Sequence, residues 1–91
     1  MDASSLLRNA ALIIEARASE RNLLAERSMK RAVDAFNTLT GLSLSETQGW
    51  LFMAVLKLSR ATAGKHNQDD LLDAAAYVAL TLEAEINSHN Q

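Results

Sequence analysis

The sequence predicts an all-α fold, a four-helix bundle-like protomer in a single domain. The 91-residue chain contains no proline, 48% of its residues are hydrophobic and only 4% are aromatic. This composition suits helices and fits β-sandwiches or barrels poorly. Apolar residues also recur at spacings of three and four, the period of one helix face. We therefore expect one domain over residues 1–91, with helices at about 4–18, 23–40, 44–63 and 68–87.

The first predicted helix is marked by a capping segment and an apolar stripe. The stretch from Asp2 to Ser5 can supply the N-cap, because Asp and Ser side chains accept hydrogen bonds from first-turn N–H groups. Residues three and four apart then form one face of the helix. This face consists of Leu6, Ala10, Ile13 and Arg17.

The second predicted helix ends at the clearest boundary in the sequence. Its apolar face consists of Met29, Ala32, Val33, Phe36 and Leu39. Gly41 follows, and glycine commonly closes a helix in the left-handed conformation. Ser43 to Glu46 then has the Ser-x-x-Glu spacing of a capping box. This spacing predicts that the third helix begins near Leu44.

The third and fourth predicted helices are the most apolar. The third is apolar over most of its circumference, as expected for a centrally buried helix. Its large apolar residues are Leu51, Phe52, Val55, Leu56 and Leu58. After a short connection from Gly64, Asn67 can cap the fourth helix. The expected core stripe of that helix is Leu71, Ala75, Val78, Leu82 and Ile86.

Composition excludes several kinds of site. The absence of cysteine excludes disulfides, thiol catalysis and Cys-ligated metal centres, and leaves His66 and His89 as the two histidines. The net charge of −2 gives no general attraction to nucleic acid. Arg27, Lys30 and Arg31 share a face with acidic residues, as on an ordinary solvated surface. We therefore expect no nucleic-acid binding.

Size and hydropathy predict where the protein is located and whether it associates with a second copy of itself. The apolar run Leu51–Leu56 is far too short to span a bilayer, and we expect a cytoplasmic protein with no membrane contact. A domain this small buries a limited share of its surface, and without cysteine it cannot form a disulfide. We therefore expect it to associate with a second copy of itself, as a homodimer.

Two cations on the third predicted helix are candidates for binding phosphate. Lys57 and Arg60 share one side of the helix with Trp50 and Met53, so two positive charges lie beside apolar surface. A guanidinium provides a bidentate fork for phosphate oxygens and an ammonium provides a compact charge. The alternative is structural: both side chains extend into water, or pair with carboxylates of the next helix.

The fourth predicted helix carries carboxylates near its start. Asp69 and Asp70 lie in the first turn, where the helix dipole favours negative charge. Asp73 lies one turn further on, on the same side as Tyr77, so Asp70 and Asp73 are candidate ligands for Mg²⁺. The alternative for Asp73 is a salt bridge to Lys57 or Arg60.

These residues resemble a group of phage and prophage MazG-like proteins over roughly Arg21 to Glu85. The most specific part is Lys-x-x-Arg followed by Asp-x-x-x-Asp-x-x-x-Tyr. The matching residues are Arg21, Asn22, Gly41, Leu56 to Arg60, His66, Asp69, Asp73 and Ala74 to Tyr77. The resemblance implies an α-helical, usually dimeric relative of nucleoside triphosphate pyrophosphohydrolases, enzymes that hold magnesium through helix carboxylates.

The chain departs from that enzyme pattern in two places. It has no Glu-x-x-Glu, the signature of the catalytic helix, and it has Leu24-Ala25 where the phage proteins tend to have Tyr-Gly. We therefore expect a degenerate member that binds a nucleotide or phosphate ligand, with weak or absent pyrophosphohydrolase activity. Its ligand-binding residues would be Lys57, Arg60, Asp69, Asp73 and Tyr77. Full pyrophosphohydrolase activity stays open, as does a non-catalytic helical protein–protein interaction module.

Overall fold

A computed structural model describes residues 2–20, 28–64 and 68–89, and the predicted all-α fold is confirmed. The four helices are α1 (Ala3–Glu20), α2 (Ser28–Thr40), α3 (Glu46–Thr62) and α4 (Gln68–His89). No helix within these ranges is long and apolar enough to cross a membrane. The expected start of the second helix at residue 23 and the Asn67 cap lie outside the described residues, as do Arg27 and His66.

The predicted signals at the start of α1 and the end of α2 are confirmed. The Ser5 backbone N–H donates to Asp2 Oδ1 at 2.9 Å, so Asp2 is the residue that caps α1. Gly41 has φ of +75°, in the left-handed region that glycine adopts without steric cost. Its N–H donates to the Asn37 carbonyl at 2.8 Å, which closes the last turn of α2.

The capping box of α3 lies two residues later than predicted. Ser45 is the N-cap: its side chain accepts from the Gln48 N–H at 3.1 Å, and the Gln48 side chain accepts from the Ser45 N–H at 2.9 Å. The Asn37 side chain bonds both the N–H and the carbonyl of Leu44, each at 2.9 Å. Because these bonds hold Leu44 outside the helix, the box at Ser45 is used and that at Ser43 is not.

Helices α3 and α4 form an antiparallel hairpin. Trp50 stacks on Tyr77, and two turns further along α3 Lys57 pairs with Asp70, so rising numbers in one helix meet falling numbers in the other. Helix α1 packs against α4, and α2 packs against α3. Within the described residues α1 and α2 make no contact with each other. The hairpin is thus the centre of the fold, and α1 and α2 flank it separately.

The crossing of α2 over α3 depends on the absence of a side chain at Gly49. A Cβ atom placed there would lie 2.5 Å from the Met29 sulfur and 2.7 Å from Val33 Cγ2. Since carbon atoms pack no closer than about 3.5 Å, the two helices can approach this closely only at a glycine. Val33 is accordingly the one buried residue that α2 contributes.

The interior of the protomer is built mainly from small side chains. Within residues 2–20, 28–64 and 68–89, the buried apolar residues are Ala10, Val33, Trp50, Ala54, Ala74, Ala76 and Ala84. The expectation that the stripe of α4 is core is wrong for a single chain, because its large members are 45–59% exposed. The same holds on α3, where Leu51, Val55 and Leu58 are 45–54% exposed. The helices pack mainly through alanine, and many of their large aliphatic residues face outwards.

Candidate functional site

Charged side chains of α1 and α3 converge on the first turns of α4. The members of this charge cluster are Arg17, Lys57, Arg60, Asp70 and Asp73. Lys57 Nζ lies 3.1 Å from Asp73 Oδ2 and 3.9 Å from Asp70 Oδ1. Arg60 Nε lies 3.6 Å from Asp70 Oδ1, and Arg17 Nη2 lies 3.6 Å from Asp73 Oδ1. Lys57 therefore bridges the two carboxylates, and each carboxylate also meets one arginine.

The helix hairpin positions the inner part of the cluster. Lys57 follows Trp50 and Ala54 at spacings of seven and three on the side of α3 that faces α4. Asp70 lies in the first turn of α4 and Asp73 one turn later, near the positive end of the helix dipole. The alanines between α3 and α4 allow the helices to approach closely. A long lysine side chain from one helix can therefore reach carboxylates on the other.

Burial divides the cluster into an inner and an outer part. The side chains of Asp70, Asp73 and Lys57 are 6%, 15% and 16% exposed, whereas Arg17 and Arg60 are 39% and 57% exposed. A buried carboxylate is tolerated when cations compensate it, and Lys57 supplies that charge to both carboxylates. The two guanidiniums lie at the rim, where part of each reaches water.

The charges of the cluster do not balance. Among the described residues it contains three cations and two carboxylates, an excess of one positive charge. Each rim arginine uses one nitrogen atom in the contacts given above, and a guanidinium carries five N–H donors. In the contacts between described residues, N–H donors therefore remain at Arg17 and Arg60 for an oxyanion that approaches from solvent, without any break of the inner Lys57–Asp73 pair.

The structure brings together some of the predicted site residues and separates others. Lys57, Arg60 and Asp73 meet as predicted, and Asp73 forms the salt bridge to Lys57 that we expected as the alternative to metal binding. Asp69 lies exposed on the first turn of α4. Tyr77 stacks on Trp50, with ring centroids 5.9 Å apart and planes inclined by 28°. Tyr77 thus contributes to the packing of the hairpin.

Arg17 is the cluster residue that the sequence analysis did not select. It occupies the last turn of α1 and lies on the same stripe as Leu6, Ala10 and Ile13. A cation at the end of an apolar stripe faces the interior side of its helix, and a buried-side cation needs an anionic partner. The position of Arg17 on the apolar stripe therefore indicates that it has an anionic partner. Nothing in the neighbouring sequence indicates that this partner is Asp73.

The two carboxylates proposed as metal ligands are engaged by cations. Lys57 Nζ lies within 3.9 Å of both, so a metal ion would have to displace the ammonium group. In the described ranges no group of three or more His, Asp or Glu side chains is arranged to hold a metal ion. Mg²⁺ can bind through one or two carboxylates when substrate phosphates complete its coordination. Asp70 and Asp73 therefore suffice only together with a phosphate ligand.

Lys30 of α2 forms an ordinary surface ion pair. Lys30 Nζ lies 3.0 Å from Asp34 Oδ2, one turn along an exposed helix face. A shallow cleft of about 230 Å³ lies beside this pair. Its lining residues are Lys30, Val33, Asp34, Leu44, Ser45 and Glu46. With one lysine against two carboxylates, this cleft repels an anion and is a poor phosphate site.

Comparison with known proteins adds a family but no activity. No curated protein and no solved structure matches this chain. One family matches residues 5–85, which include α2, α3, most of α1 and α4, and every member of the charge cluster. By this match the chain belongs to the family described as a domain of unknown function (DUF6378).

Proposed function

We propose that this chain is a MazG-like protein of phage or prophage type that binds a nucleotide or a similar phosphate ligand at the charge cluster. It would act in the cytoplasm as a homodimer, with weak or absent pyrophosphohydrolase activity. The observation that supports phosphate binding is the excess positive charge, presented at the rim by Arg17 and Arg60. Charge-assisted hydrogen bonds from two guanidiniums are suited to phosphate oxygens.

The inner pairs favour binding over hydrolysis. A magnesium ion that assists triphosphate cleavage needs free carboxylate oxygens, and here Lys57 Nζ lies 3.1 and 3.9 Å from the oxygens of Asp73 and Asp70. The enzymes that the sequence resembles use a Glu-x-x-Glu that this chain lacks. We therefore expect phosphate to bind without Mg²⁺, through cations alone, and we expect little or no release of pyrophosphate.

Calorimetry with ribo- and deoxynucleoside triphosphates and with pyrophosphate, each with Mg²⁺ and with a chelator, tests this proposal. The informative variant is Arg60→Gln, because the side chain is 57% exposed and its removal disturbs the fold less than a change at Lys57. Loss of a charged hydrogen bond weakens binding by about ten- to a hundredfold. The matched control is Lys30→Gln, which removes an exposed cation outside the cluster.

The outcomes separate the parts of the proposal. Saturable binding that Arg60→Gln weakens and Lys30→Gln leaves unchanged supports a phosphate site at the cluster. Binding that both variants weaken equally reflects only general charge attraction and refutes the site. No heat and no thermal shift with any ligand refutes phosphate binding altogether. Pyrophosphate release by the wild type, measured in parallel, would support full pyrophosphohydrolase activity. It would refute the proposal that this activity is weak or absent.

A second candidate function is a non-catalytic helical protein–protein interaction module. Exposed Trp50, Met53 or Leu80 side chains would favour it, but Trp50 is buried and the other two are half-buried. The observation that favours it is the exposure of other large apolar residues, with Phe52 at 66% and Leu39 at 85%. Side chains of this kind anchor partner helices in apolar grooves. Under this function the charge cluster is purely structural, and the calorimetric titrations show no binding.

A further inference from the structure

The side of the α3–α4 hairpin that α1 and α2 leave uncovered is apolar, and we propose that it binds the same side of a second copy of this chain. This inference specifies the homodimer of the proposed function and rests on that part alone, not on nucleotide binding. We call this surface the α3–α4 face. Its large aliphatic members are Leu51, Val55, Leu58, Leu71, Val78, Leu82 and Ile86.

These residues form one surface because of their place in each helix. Leu51 and Leu58 directly follow Trp50 and Lys57, which face α4, so they are turned by about 100° from the α4 direction. Leu71 and Val78 of α4 in the same way directly follow Asp70 and Tyr77, which face α3. Both rotations have the same hand. Because the two helix axes run in opposite directions, these rotations place the leucines of α3 and the Leu71 and Val78 side chains of α4 on the same side of the hairpin.

The flanking helices lie on the opposite side. Gly49, which contacts α2, directly precedes Trp50, and Asp73, which pairs with α1, directly precedes Ala74 on the inner side of α4. A step of one residue backwards turns by about 100° in the opposite sense. Helices α1 and α2 therefore cover one side of the hairpin, and the α3–α4 face occupies the other.

The chain as a whole exposes more surface than a monomer of its mass, by more than a standard dimer interface requires. The chain exposes 6783 Å² at a mass of 9.9 kDa, whereas a monomeric protein of that mass exposes about 5,200 Å². The surplus of roughly 1,600 Å² exceeds the about 800 Å² that each partner buries in a standard interface. The radius of gyration of 14.3 Å also exceeds the about 12 Å of a compact domain of this length.

The chemistry of the face suits a second copy. The positions along its centre are Leu, Val and Ala. Among the described residues of the face, charge appears only towards one end, where His89 pairs with Glu85 at 2.7 Å. An uncharged centre allows two identical surfaces to meet without like-charge repulsion. Pairing of two hairpins about a two-fold axis would bury both faces in a four-helix core, an isologous contact. The stripe that the sequence predicts as core would then be core in the dimer.

This geometry also determines where the two charge clusters would lie. Arg17 extends from α1. Arg60 directly precedes Ala61, which lies four residues after Lys57 on the side of α3 that faces α4. Both arginines therefore belong to the side of the hairpin that carries α1 and α2. Dimerisation through the α3–α4 face leaves this side uncovered. Each dimer would present two complete clusters on its outer surfaces, and neither cluster would need a residue from the partner.

Light scattering coupled to size-exclusion chromatography tests the inference on the full chain. The wild type should elute at twice 9.9 kDa at micromolar concentration. Leu82→Glu places a charge in the centre of each face and should weaken the dimer roughly a hundredfold or more. Leu39→Glu is the matched control, because Leu39 is 85% exposed on α2 and outside the α3–α4 face. It should stay dimeric.

A second set of variants decides the matter if Leu82→Glu does not fold. The chain has no cysteine, so Leu51→Cys, Val55→Cys, Val78→Cys and Leu82→Cys each introduce a single thiol. At least one should form an intermolecular disulfide under mild oxidation, and Leu39→Cys should not. A monomeric wild type, a dimer that Leu82→Glu leaves intact, or no cross-link at any position of the face would each overturn the inference. A dimer that binds no nucleotide supports it and refutes only the phosphate proposal.

Discussion

Replacement of Lys57 by methionine should destabilise the protein because it removes the innermost cation from beside Asp70, which is buried, and Asp73, which is largely buried. Asp70 and Asp73 are 6% and 15% exposed, and without the lysine each keeps one arginine at 3.6 Å. Removal of one partner from a buried ion pair costs about 3–5 kcal/mol. Because Arg17 and Arg60 remain, we expect a cost near the lower end, about 3 kcal/mol.

The double variant Lys57→Met/Asp73→Leu should recover much of that loss. It removes the closest pair, at 3.1 Å, together, and Arg17 is 39% exposed and can turn to water. Each single variant leaves one member of the Lys57–Asp73 pair without its nearest partner, whereas the double variant removes both members, so their effects should not add. We expect a coupling energy of about 2–3 kcal/mol between Lys57 and Asp73.

Urea denaturation followed by circular dichroism, at one fixed protein concentration, measures all three variants. Thermal melts should show Lys57→Met about 12–24 °C below the wild type, since 1 kcal/mol shifts the midpoint of a domain of this size by about 4–8 °C. The exposed pair Lys30–Asp34, at 3.0 Å, serves as control and should show a coupling of only about 0.3–0.5 kcal/mol. A Lys57–Asp73 coupling no larger than that of the control would refute the reasoning.

Two further predictions concern the fold. Gly49→Ala should destabilise the protein by about 1–2 kcal/mol, because the new Cβ atom would lie 2.7 Å from the stiff Val33 side chain. This loss should exceed the gain from alanine as the better helix former. A gain in stability in urea denaturation would contradict the prediction. The hydrogen bond from the Ser5 N–H lowers the pKa of the Asp2 carboxyl below its usual 3.8, so its contribution to α1 is present above that pH and lost as the pH falls through the lowered value. The Ser5 amide signal in NMR should follow this titration in the wild type and stay constant in Asp2→Asn.

Local signals in the sequence were sufficient for several features of the fold. The left-handed Gly41 and the Asp2 cap depend on the conformational preferences of one or two residues, and these act within a single turn. The pairing of Lys57 with Asp73 was also accessible, because two helices joined by a short connection must lie antiparallel. The start of α3 was placed wrongly because Asn37, in the preceding helix, decides which capping box forms.

Contacts between distant segments were less accessible. The pairing of Arg17 with Asp73 joins α1 to α4 across most of the chain, and the close approach at Gly49 depends on Met29 and Val33 of another helix. Nothing in the local pattern states which helices become neighbours. The periodicity of α4 marks an apolar face, but it does not state whether that face packs within the same chain.

The stability of the protein depends on whether the α3–α4 face is covered by a second copy of the chain. Burial of a Val, Leu or Ile side chain contributes about 1.5–3 kcal/mol, and seven such side chains on the α3–α4 face are only about half buried in one protomer. Their exposed halves represent roughly 5–10 kcal/mol per chain, comparable with the total stability of about 5–15 kcal/mol of a folded domain. The interior of one protomer consists mostly of alanine, and burial of such small side chains supplies little free energy in place of this contribution. Association through this face would therefore be part of folding, and the midpoint of unfolding should rise with protein concentration.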